Sequence, residues 1–493
     1  MTALPETATV DLATRARLEA ALLRRRRGRP DAIAVLPRAA GEATFPASHI
    51  ERLMWYLHHE YPGRSTFLTL GALRLRGELD VALLERAFNG LLVRHDVLRA
   101  VYRLDGEHVL RVERSFTAQS IPVVDVREDQ VDAAGAAVID EPFDLTAPPL
   151  MRLRLLRRAP DDHVAVLVLH HIVSDGRSME VFFQELATLY LAWQAGIEQP
   201  LAPLPVQYAD VVAWQRGRLA GAVRQEQTAY WTARLHGHQL LELPTDARRS
   251  PEPSSAGLTT SLRVPDEVAD GLRQLGGTHQ ATLFMVTLAA FDALLAWYSG
   301  QRDILVATPV SWRDRPELDA LMGAFINYLP LRADLSGDPT FAELLNAVRD
   351  HTAQDLAHHE LPLDEVIAAA GYQPTHGRAA LLRVLFTEEA DPSVALPESG
   401  ELRGELVDPP WHHALRDFTV RITAAEDGTY IIVTYRTDAF TRERVADIAA
   451  DYLDVLTRVV ADPRRRVFEP DGPFGVPLRV PPVPSTSRQG GTS

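Results

Sequence analysis

The sequence predicts a mixed α/β (α+β) protein whose chain falls into two halves of similar size. Short apolar runs rich in β-branched residues alternate along the chain with longer runs of helical periodicity. The length of 493 residues allows two to four domains. Hydrophobic residues make up 46% of the chain and charged residues 24%, which is ordinary for soluble globular proteins and sufficient for sizeable cores.

The first half is predicted to alternate strands with helices. The unbroken apolar run over residues 164–169 has the length and β-branching of a buried strand. Asp80 precedes a helical pattern and is a predicted N-cap. Three prolines within residues 198–205 indicate a connection. The predicted strands cover residues 66–75, 97–102, 108–112 and 164–169, and the predicted helices cover residues 81–95 and 179–193.

The second half begins near Gln225 and shows the same alternation. Its predicted helices cover residues 266–275, 282–298, 340–358 and 442–460, and its predicted strands cover residues 304–308, 329–335, 383–388, 419–423 and 430–435. The stretch 282–298 is the longest apolar one, but Asp292 in its middle favours a buried core helix over a membrane span. The N-terminus lacks a signal-peptide pattern, so we expect a cytoplasmic protein.

The two ends differ in composition from the body of the chain. A basic helical pattern over residues 12–27 favours a solvated extension over a partner-docking segment. From Pro473 onward the chain is rich in Pro, Gly and Ser, which predicts a tail that is disordered or lies on the surface. We therefore divide the chain into an N-terminal helical extension (1–44), a first subdomain (45–222), a second subdomain (223–472) and a flexible tail (473–493).

Composition excludes several classes of function. The net charge of −15 argues against binding to nucleic acid or to an anionic membrane, which needs a basic surface. The chain contains no lysine, which excludes Schiff-base chemistry, Ser–Lys pairs and the P-loop lysine. It also contains no cysteine, which excludes disulfides, thiolate nucleophiles, cysteine-ligated zinc and iron–sulfur clusters.

Four adjacent histidine pairs are candidates for acid–base chemistry, because histidine exchanges protons near neutral pH. Only the pair His170-His171 directly follows a predicted buried strand, and it is followed by the turn-forming pair Asp175-Gly176. Ser178 is a plausible N-cap for the next helix. This layout would aim and hold a general base. The remaining pairs, at residues 58–59, 358–359 and 412–413, lack an Asp-Gly turn.

Residues 170–176, HHIVSDG, match the pattern HHxxxDG. This pattern resembles that of the condensation domains of nonribosomal peptide synthetases, within the superfamily similar to chloramphenicol acetyltransferase. Further segments resemble motifs of the same domains in the same order and spacing across residues 45–465. They are SHIERLMWYL (48–57), RHDVLR (94–99), YAD with WQ (208–215), MGAFIN (322–327), HHELPLD (358–364) and YRTDAF (435–440).

The resemblance implies two acetyltransferase-like subdomains arranged as a V, with an active-site tunnel between them. It implies that His171 acts as base or as positioner of the attacking group, and that the Gly176 backbone N–H is a candidate donor to the anionic intermediate. His170 and Asp175 are expected to be structural. We expect Asp175 to pair with Arg313 of the second half.

The sequence also departs from the family pattern. Tyr328 follows Asn327 where the family usually has threonine, and both residues are candidates for lining the acceptor side of the tunnel. Packing of Tyr328 in the core is the competing interpretation. Glu51 replaces a usual glutamine, Trp312 precedes Arg313 where a small residue is common, and residues 375–380 replace an arginine-rich motif. These differences indicate a divergent member.

The resemblance also implies the partners. The acyl group would arrive on the 4′-phosphopantetheine arm of a peptidyl carrier protein, with no permanently bound cofactor and no metal. Residues 275–278, LGGT, lack the serine that a carrier domain needs. We expect a free-standing enzyme that binds its carrier in trans, and we expect it to be a monomer. The acceptor would be a small molecule or a second carrier-bound group.

Three functions remain open at this point. The first is a condensation enzyme that transfers an acyl or aminoacyl group to an amine or an alcohol. The second is an acyl-CoA-dependent acyltransferase of the same superfamily, which the full set of condensation motifs disfavours. The third is a catalytically silent module that recruits other enzymes to a carrier, which the presence of both His171 and Gly176 disfavours.

Overall fold

The structure is a computed structural model that describes residues 32–38, 41–60, 67–246, 256–372, 383–390, 402–407, 414, 416–425 and 427–479. The basic pattern over residues 12–27, the replaced motif at 375–380, the histidine pair 412–413 and the tail from residue 480 lie outside these ranges.

The first half alternates strands and helices as predicted. In chain order it contains β1 (Ala43–Pro46), α1 (His49–Glu60), β2 (Leu68–Arg76), α2 (Val81–Arg94), β3 (Ala100–Asp105), β4 (His108–Glu113), β5 (Val123–Asp125), α3 (Val131–Asp140), β6 (Met151–Ala159), β7 (Asp162–His170), α4 (Gly176–Gln194) and α5 (Tyr208–Arg218). Helix α6 (Gly221–Arg234) follows and crosses the predicted boundary near residue 222. The predicted cap is present, since the Asp80 carboxylate accepts the Leu83 N–H at 3.0 Å.

The second half has the same mixed character. In chain order it contains β8 (Gly257–Val264), α7 (Asp266–His279), α8 (Leu283–Ser299), β9 (Asp303–Ser311), β10 (Ile326–Asp334), α9 (Phe341–Ala357), α10 (Leu363–Ala369), β11 (Val384–Ala390), β12 (Arg403–Val407), β13 (Phe418–Ala425), β14 (Gly428–Arg436), α11 (Arg442–Ala461), β15 (Phe468–Glu469) and β16 (Gly472–Pro473). The mixed α/β class is therefore confirmed.

Each half is built on one large sheet. The sheet of the first half has the order β12-β2-β7-β6-β5, and a small sheet, β1-β4-β3, accompanies it. Helix α4 packs closely on this larger sheet at Gly71 of β2, where a Cβ atom would lie 2.6 Å from the Met179 sulfur and 2.7 Å from the Phe183 ring. This close approach fixes α4 against the strands that deliver the histidine pair.

The sheet of the second half has the order β10-β9-β11-β13-β14-β8, in which β11 runs parallel to β9 and β13. Helix α8 packs among its neighbours with nearly every side chain buried, including Asp292. Within the described residues, no single helix is long and apolar enough to cross a membrane. The pair α7 and α8 passes that test together by length and composition only, with a bend of 102° between them.

Two predictions about where elements begin and end were wrong. The expected strand over residues 97–102 begins as a 3-10 turn, Asp96–Arg99, in which Arg99 pairs with Asp96 at 2.6 Å, and β3 starts only at Ala100. An extended strand would hold residues three apart on opposite faces and too distant to pair. Residues 473–479 are not a loose tail: β16 pairs with β15, and Phe474 is fully buried.

One strand crosses the predicted division into halves. Strand β12 belongs by sequence to the second half, yet it pairs antiparallel with β2 and so forms the edge of the first half's sheet. The sheet of the first half is therefore completed by a strand from later in the chain, residues 403–407.

Candidate active site

A tight loop joins buried strand β7 to helix α4 and presents the histidine pair. Strand β7 ends at His170, and the helix begins at Gly176. Asp175 is the N-cap: its carboxylate accepts the Ser178 N–H at 2.8 Å, and the Ser178 hydroxyl contacts the Asp175 N–H at 3.2 Å. Ser178 thus lies in the first turn and completes a capping box, which corrects the prediction that it is the cap itself.

Asp175 is held from the opposite half by Arg313. The guanidinium donates from Nε and one terminal nitrogen to the two carboxylate oxygens, both at 2.9 Å. Its other terminal nitrogen donates to the carbonyls of Leu318 and Leu321. Burial raises the pKa of Asp175, but the Arg313 charge and hydrogen bonds from Arg313 and Ser178 outweigh it, so the net pKa lies below the usual value. The expected pairing is therefore present, as a buried ion pair between the halves.

His171 follows the strand end and is only partly buried. Its backbone N–H donates to the Phe67 carbonyl at 2.7 Å. Ring atom Nδ1 lies 3.1 Å from the Thr69 hydroxyl and 3.4 Å from the Ser174 carbonyl. Burial lowers the pKa of His171, the Ser174 carbonyl opposes this shift, and the Arg416 charge adds to it, with a net pKa below the usual value. The imidazole is therefore neutral at neutral pH.

His170 points into the protein and is 2% exposed. Its Nδ1 accepts the Ile172 N–H at 3.1 Å, so its Nε2 carries the proton and faces Nδ1 of His58 at 3.3 Å. Burial lowers the pKa of His170 well below the usual value, with His58 and His171 as lesser causes. A buried neutral ring with both nitrogens engaged has the geometry of a structural residue.

Gly176 occupies the first position of α4. A Cβ atom added there would meet nothing within 4 Å, so open space lies beside the Gly176 Cα. The first N–H groups of a helix have no partner within the helix and favour negative charge. The Gly176 N–H belongs to this set and borders the same loop as His171.

Asn327 does not serve the predicted lining role. Its amide donates both hydrogens to backbone carbonyls, at 3.0 Å to His359 and 2.8 Å to Leu361, and its oxygen accepts the Leu363 N–H at 3.2 Å. The side chain is 1% exposed. Since its hydrogens are fully used in bracing the HHELPLD segment against β10, Asn327 has no donor left for an acceptor molecule.

Tyr328 lies nearly buried on β10, with 7% of its surface exposed. The guanidinium of Arg416 lies over its ring, 4.9 Å from the centroid. The same Arg416 charge acts on His171. Tyr328 is therefore packed in the core, as one interpretation of the sequence expected. Its ring also contacts the Arg416 guanidinium, whose charge acts on His171.

Other motif residues hold the helices and loops around the site in place. Arg94 and His95 both contact the carboxylate of Glu185 on α4, at 2.9 Å and 2.7 Å, and so tie α2 to the helix that begins at the site. Tyr208 of the YAD segment donates its hydroxyl to the Ala324 carbonyl at 3.0 Å. A Cβ atom on Gly323 would lie 2.3 Å from the Tyr208 ring, which explains why a glycine stands there.

The unusual Glu51 forms an ion pair with a buried cation, Arg111. It is fully buried, accepts the Tyr102 hydroxyl at 2.7 Å and pairs with Arg111 at 3.1 Å. Arg111 is also fully buried and lies 3.6 Å from Glu113. A glutamine at position 51 would supply hydrogen bonds to this group but not the charge.

Sequence reasoning missed four residues at the site: Thr69, Ser174, His58 and Arg416. Ser174 lies inside the HHIVSDG loop and was treated as a spacer. Thr69 and His58 come from distant segments that the sheet and α1 bring to the loop, so only the strand pairing reveals them. Among the described residues, no group of three or more His, Asp or Glu side chains is arranged to bind a metal ion.

Comparison with known proteins is consistent with this site. The family model described as "Condensation domain" matches residues 42–471. One protein of the linear gramicidin synthase of Brevibacillus parabrevis is 37% identical over 433 residues, which cover 85% of this chain and 6% of that protein. Chondramide synthase cmdD of Chondromyces crocatus is 33% identical over 430 residues, which cover 86% of this chain and 11% of that protein. The chain therefore spans only a small part of the length of these curated relatives.

Two solved structures share the fold at 27% identity. The X-domain of teicoplanin biosynthesis, solved in complex with OxyB, has a TM-score of 0.81 and covers 89% of this chain and 97% of its own. The SgcC5 protein of Streptomyces globisporus was solved with (R)-(-)-1-(2-naphthyl)-1,2-ethanediol and sucrose. It has a TM-score of 0.71, and the match covers 87% of this chain and 100% of the SgcC5 chain.

The predicted chloramphenicol acetyltransferase-like fold is thereby confirmed. The family model spans both halves and includes the β7–α4 loop with its histidine pair. The chain belongs to the condensation-domain family, whose members in nonribosomal peptide synthetases form amide or ester bonds.

Proposed function

We propose that this protein is an acyltransferase that moves an acyl or aminoacyl group from a carrier-protein thioester to an amine or an alcohol. The observation that supports this most strongly is the braced β7–α4 loop. It presents a neutral, partly exposed His171 beside the open start of α4, and Asp175 and Arg313 hold it from both halves. A recruitment module would not need a histidine kept neutral at this position.

In the proposed reaction, the acceptor N–H or O–H approaches the thioester carbonyl while His171 Nε2 takes its proton. The new N–C or O–C bond forms, and the carbonyl oxygen becomes an oxyanion that accepts a hydrogen bond from the Gly176 N–H. Collapse of this intermediate breaks the C–S bond. The proton held by His171 passes to the leaving thiolate of the phosphopantetheine arm, which restores the neutral imidazole.

The directions of the pKa shifts suit this order of reaction steps. A base must be unprotonated before it acts, and the burial of His171 together with the Arg416 charge lowers its pKa. Asp175 stays ionised because Arg313 faces it, so its role is to anchor the loop and not to exchange protons.

The substrates follow from the family and from the site. The donor would be a peptidyl carrier protein with a charged 4′-phosphopantetheine arm, which enters a tunnel between the halves. For the acceptor we favour a small soluble alcohol or amine, because the bulky Tyr328 lies where smaller residues are usual and because the SgcC5 relative binds an aromatic diol. The division into subdomains near residue 222 remains part of this proposal.

The proposal is tested by product formation. An aminoacyl carrier protein is incubated with matched amine and alcohol acceptors, and products are detected by mass spectrometry for the wild type and for His171→Ala. Product with the wild type and a loss of about 10²–10⁴-fold in the variant is the expected result. Replacing the carrier with the same acyl group on coenzyme A tests the acyl-CoA alternative, which predicts an equal or better rate.

The recruitment alternative has one observation in its favour, the likeness to the X-domain solved with OxyB. It predicts tight carrier binding without any product and equal binding in the wild type and His171→Ala. That result from all donors and acceptors would replace the proposal.

A further inference from the structure

A chain of hydroxyl groups reaches Nδ1 of His171, and its proton directions can be worked out from one fixed end. The Ser174 hydroxyl lies 3.1 Å from the His170 carbonyl, which can only accept. The single Ser174 hydroxyl proton is therefore directed to that carbonyl. The Thr69 hydroxyl, 3.0 Å from the Ser174 oxygen, must then donate its own proton to Ser174.

The consequence for His171 follows directly. With its proton committed to Ser174, the Thr69 oxygen can only accept from His171 Nδ1, at 3.1 Å. The Ser174 carbonyl, 3.4 Å from the same nitrogen, is also an acceptor. Two acceptors thus face Nδ1, which places the ring proton there and leaves Nε2 with a free lone pair.

We propose that Thr69 is a positioning residue that holds His171 in the Nδ1–H tautomer, so that Nε2 is the nitrogen that takes the acceptor's proton. The catalytic part of this statement rests on the proposed function. The tautomer itself does not, because it can be observed in the absence of any substrate.

The placement of Thr69 suits a positioning role. It lies on β2 directly opposite Leu169 of β7, so its hydroxyl is held in register with the strand that ends at the histidine pair. A β-branched residue in a strand has few χ1 rotamers, which keeps the hydroxyl in one direction. A shift of register by one residue would turn the hydroxyl to the other face of the sheet.

The charged and titratable groups around His171 have a different effect. His170 is adjacent to it in the chain, Asp175 belongs to its own loop, and Arg416 approaches from the β13 side. These groups govern how readily the ring takes a second proton. The hydroxyl chain governs which nitrogen holds the first.

The direct test is the tautomer of His171 in the full-length protein labelled with ¹⁵N-histidine. Long-range ¹H–¹⁵N correlation spectra at pH 8 are compared for wild type, Thr69→Val and Thr69→Ser, with His171→Ala assigning the signal. Valine keeps the shape and β-branching of threonine and removes only the hydroxyl. The wild type and Thr69→Ser are expected to show Nδ1 protonated and Nε2 unprotonated. Thr69→Val is expected to show nitrogen shifts moved towards the average of the two tautomers, because only the Ser174 carbonyl, 3.4 Å away, still faces Nδ1.

Thr259→Val is the matched control. Its hydroxyl bonds across strands to that of Thr434 at 2.9 Å in the sheet of the other half, so it loses the same kind of hydrogen bond far from the loop. It should leave the His171 signals unchanged. A wild-type spectrum with Nε2 protonated, or a Thr69→Val spectrum identical to the wild type, would overturn the proposal.

Kinetics supply the second readout. We expect Thr69→Val to lower kcat about tenfold with KM unchanged, a fraction of the full general-base effect, and Thr69→Ser to restore it. The acidic limb of the pH–rate profile of Thr69→Val should move to lower pH, because the protonated His171 ring loses a hydrogen-bond acceptor. An inactive wild type with the expected tautomer would refute the proposed function alone, whereas full activity in Thr69→Val would refute the role of Thr69 alone.

Discussion

The ion pair between Asp175 and Arg313 offers the sharpest prediction about stability. Both side chains are nearly buried, at 6% and 5% exposure, and they come from opposite halves of the molecule. Removal of one member of a buried, hydrogen-bonded pair leaves the other as an uncompensated buried charge, which costs about 3–5 kcal/mol. Arg313→Ala should therefore lower the free energy of unfolding by about that amount.

Asp175→Ala should also cost about 3–5 kcal/mol, a figure that includes the loss of the α4 N-cap, worth about 1 kcal/mol. If the two changes were independent, the double variant would cost about 6–10 kcal/mol, the simple sum. Because the double variant leaves no isolated charge, we expect about 4–6 kcal/mol, a coupling of at least 2 kcal/mol.

The assay is urea unfolding of the four proteins in a double-mutant cycle at pH 7. Arg127→Ala is a suitable control, because Arg127 makes the same two-pronged contact with Asp129 on the surface and its loss should not shift the unfolding midpoint. Asp175 has a folded-state pKa below its unfolded value, so its contribution should persist above about pH 4 and fade as the pH falls further. Additive single-variant costs would show that Asp175 and Arg313 do not stabilise each other.

Three further predictions concern single residues. Gly176→Ala should leave stability unchanged or slightly raised in thermal unfolding, because the new Cβ meets no atom within 4 Å, while product formation falls because the methyl group occupies the open space beside the Gly176 N–H. Glu51→Gln should lower the free energy of unfolding by about 3 kcal/mol, because the fully buried Arg111 loses its main counter-charge, and an unchanged urea midpoint would contradict this. Burial raises the pKa of Asp292 well above its usual value, so the folded state retains a proton that the unfolded chain releases, and stability should fall as the pH rises above about 4. Asp292→Asn should remove this dependence, by up to about 1.4 kcal/mol per pH unit, and urea midpoints at pH 5 and 8 measure it.

Local patterns were sufficient to predict much of the fold. The apolar run that became β7 is buried on both faces, so its hydrophobic residues are continuous and easily recognised. The edge strand β12 escaped prediction because its five residues, RGELV, have no strong apolar pattern and pair with the sheet of the other half. Ser178 was mistaken for the cap because a capping box places suitable residues at both positions, and sequence alone does not order them.

The site was predicted less completely than the fold. The resemblance predicted the pairing of Asp175 with Arg313, which the structure contains although 138 residues separate the two. The roles of His171 and Gly176 stay predictions. The resemblance did not locate Thr69, which reaches His171 across 102 residues through the register of β2 with β7. It also left Asn327 among the lining candidates, because an amide that braces backbone and an amide that faces a substrate look alike until hydrogen-bond partners are known.

The central claim is that His171 acts as the base of acyl transfer, and single-turnover product formation tests it most directly. An excess of enzyme is mixed with one aminoacyl carrier protein and the preferred acceptor, and the product is quantified by mass spectrometry for wild type, His171→Ala and the exposed control His108→Ala. The account predicts equal rates for the wild type and the control, and a rate lower by about 10²–10⁴-fold for His171→Ala. A rate for His171→Ala within a factor of about three of the wild type would contradict the account, because a general base is expected to contribute far more than that.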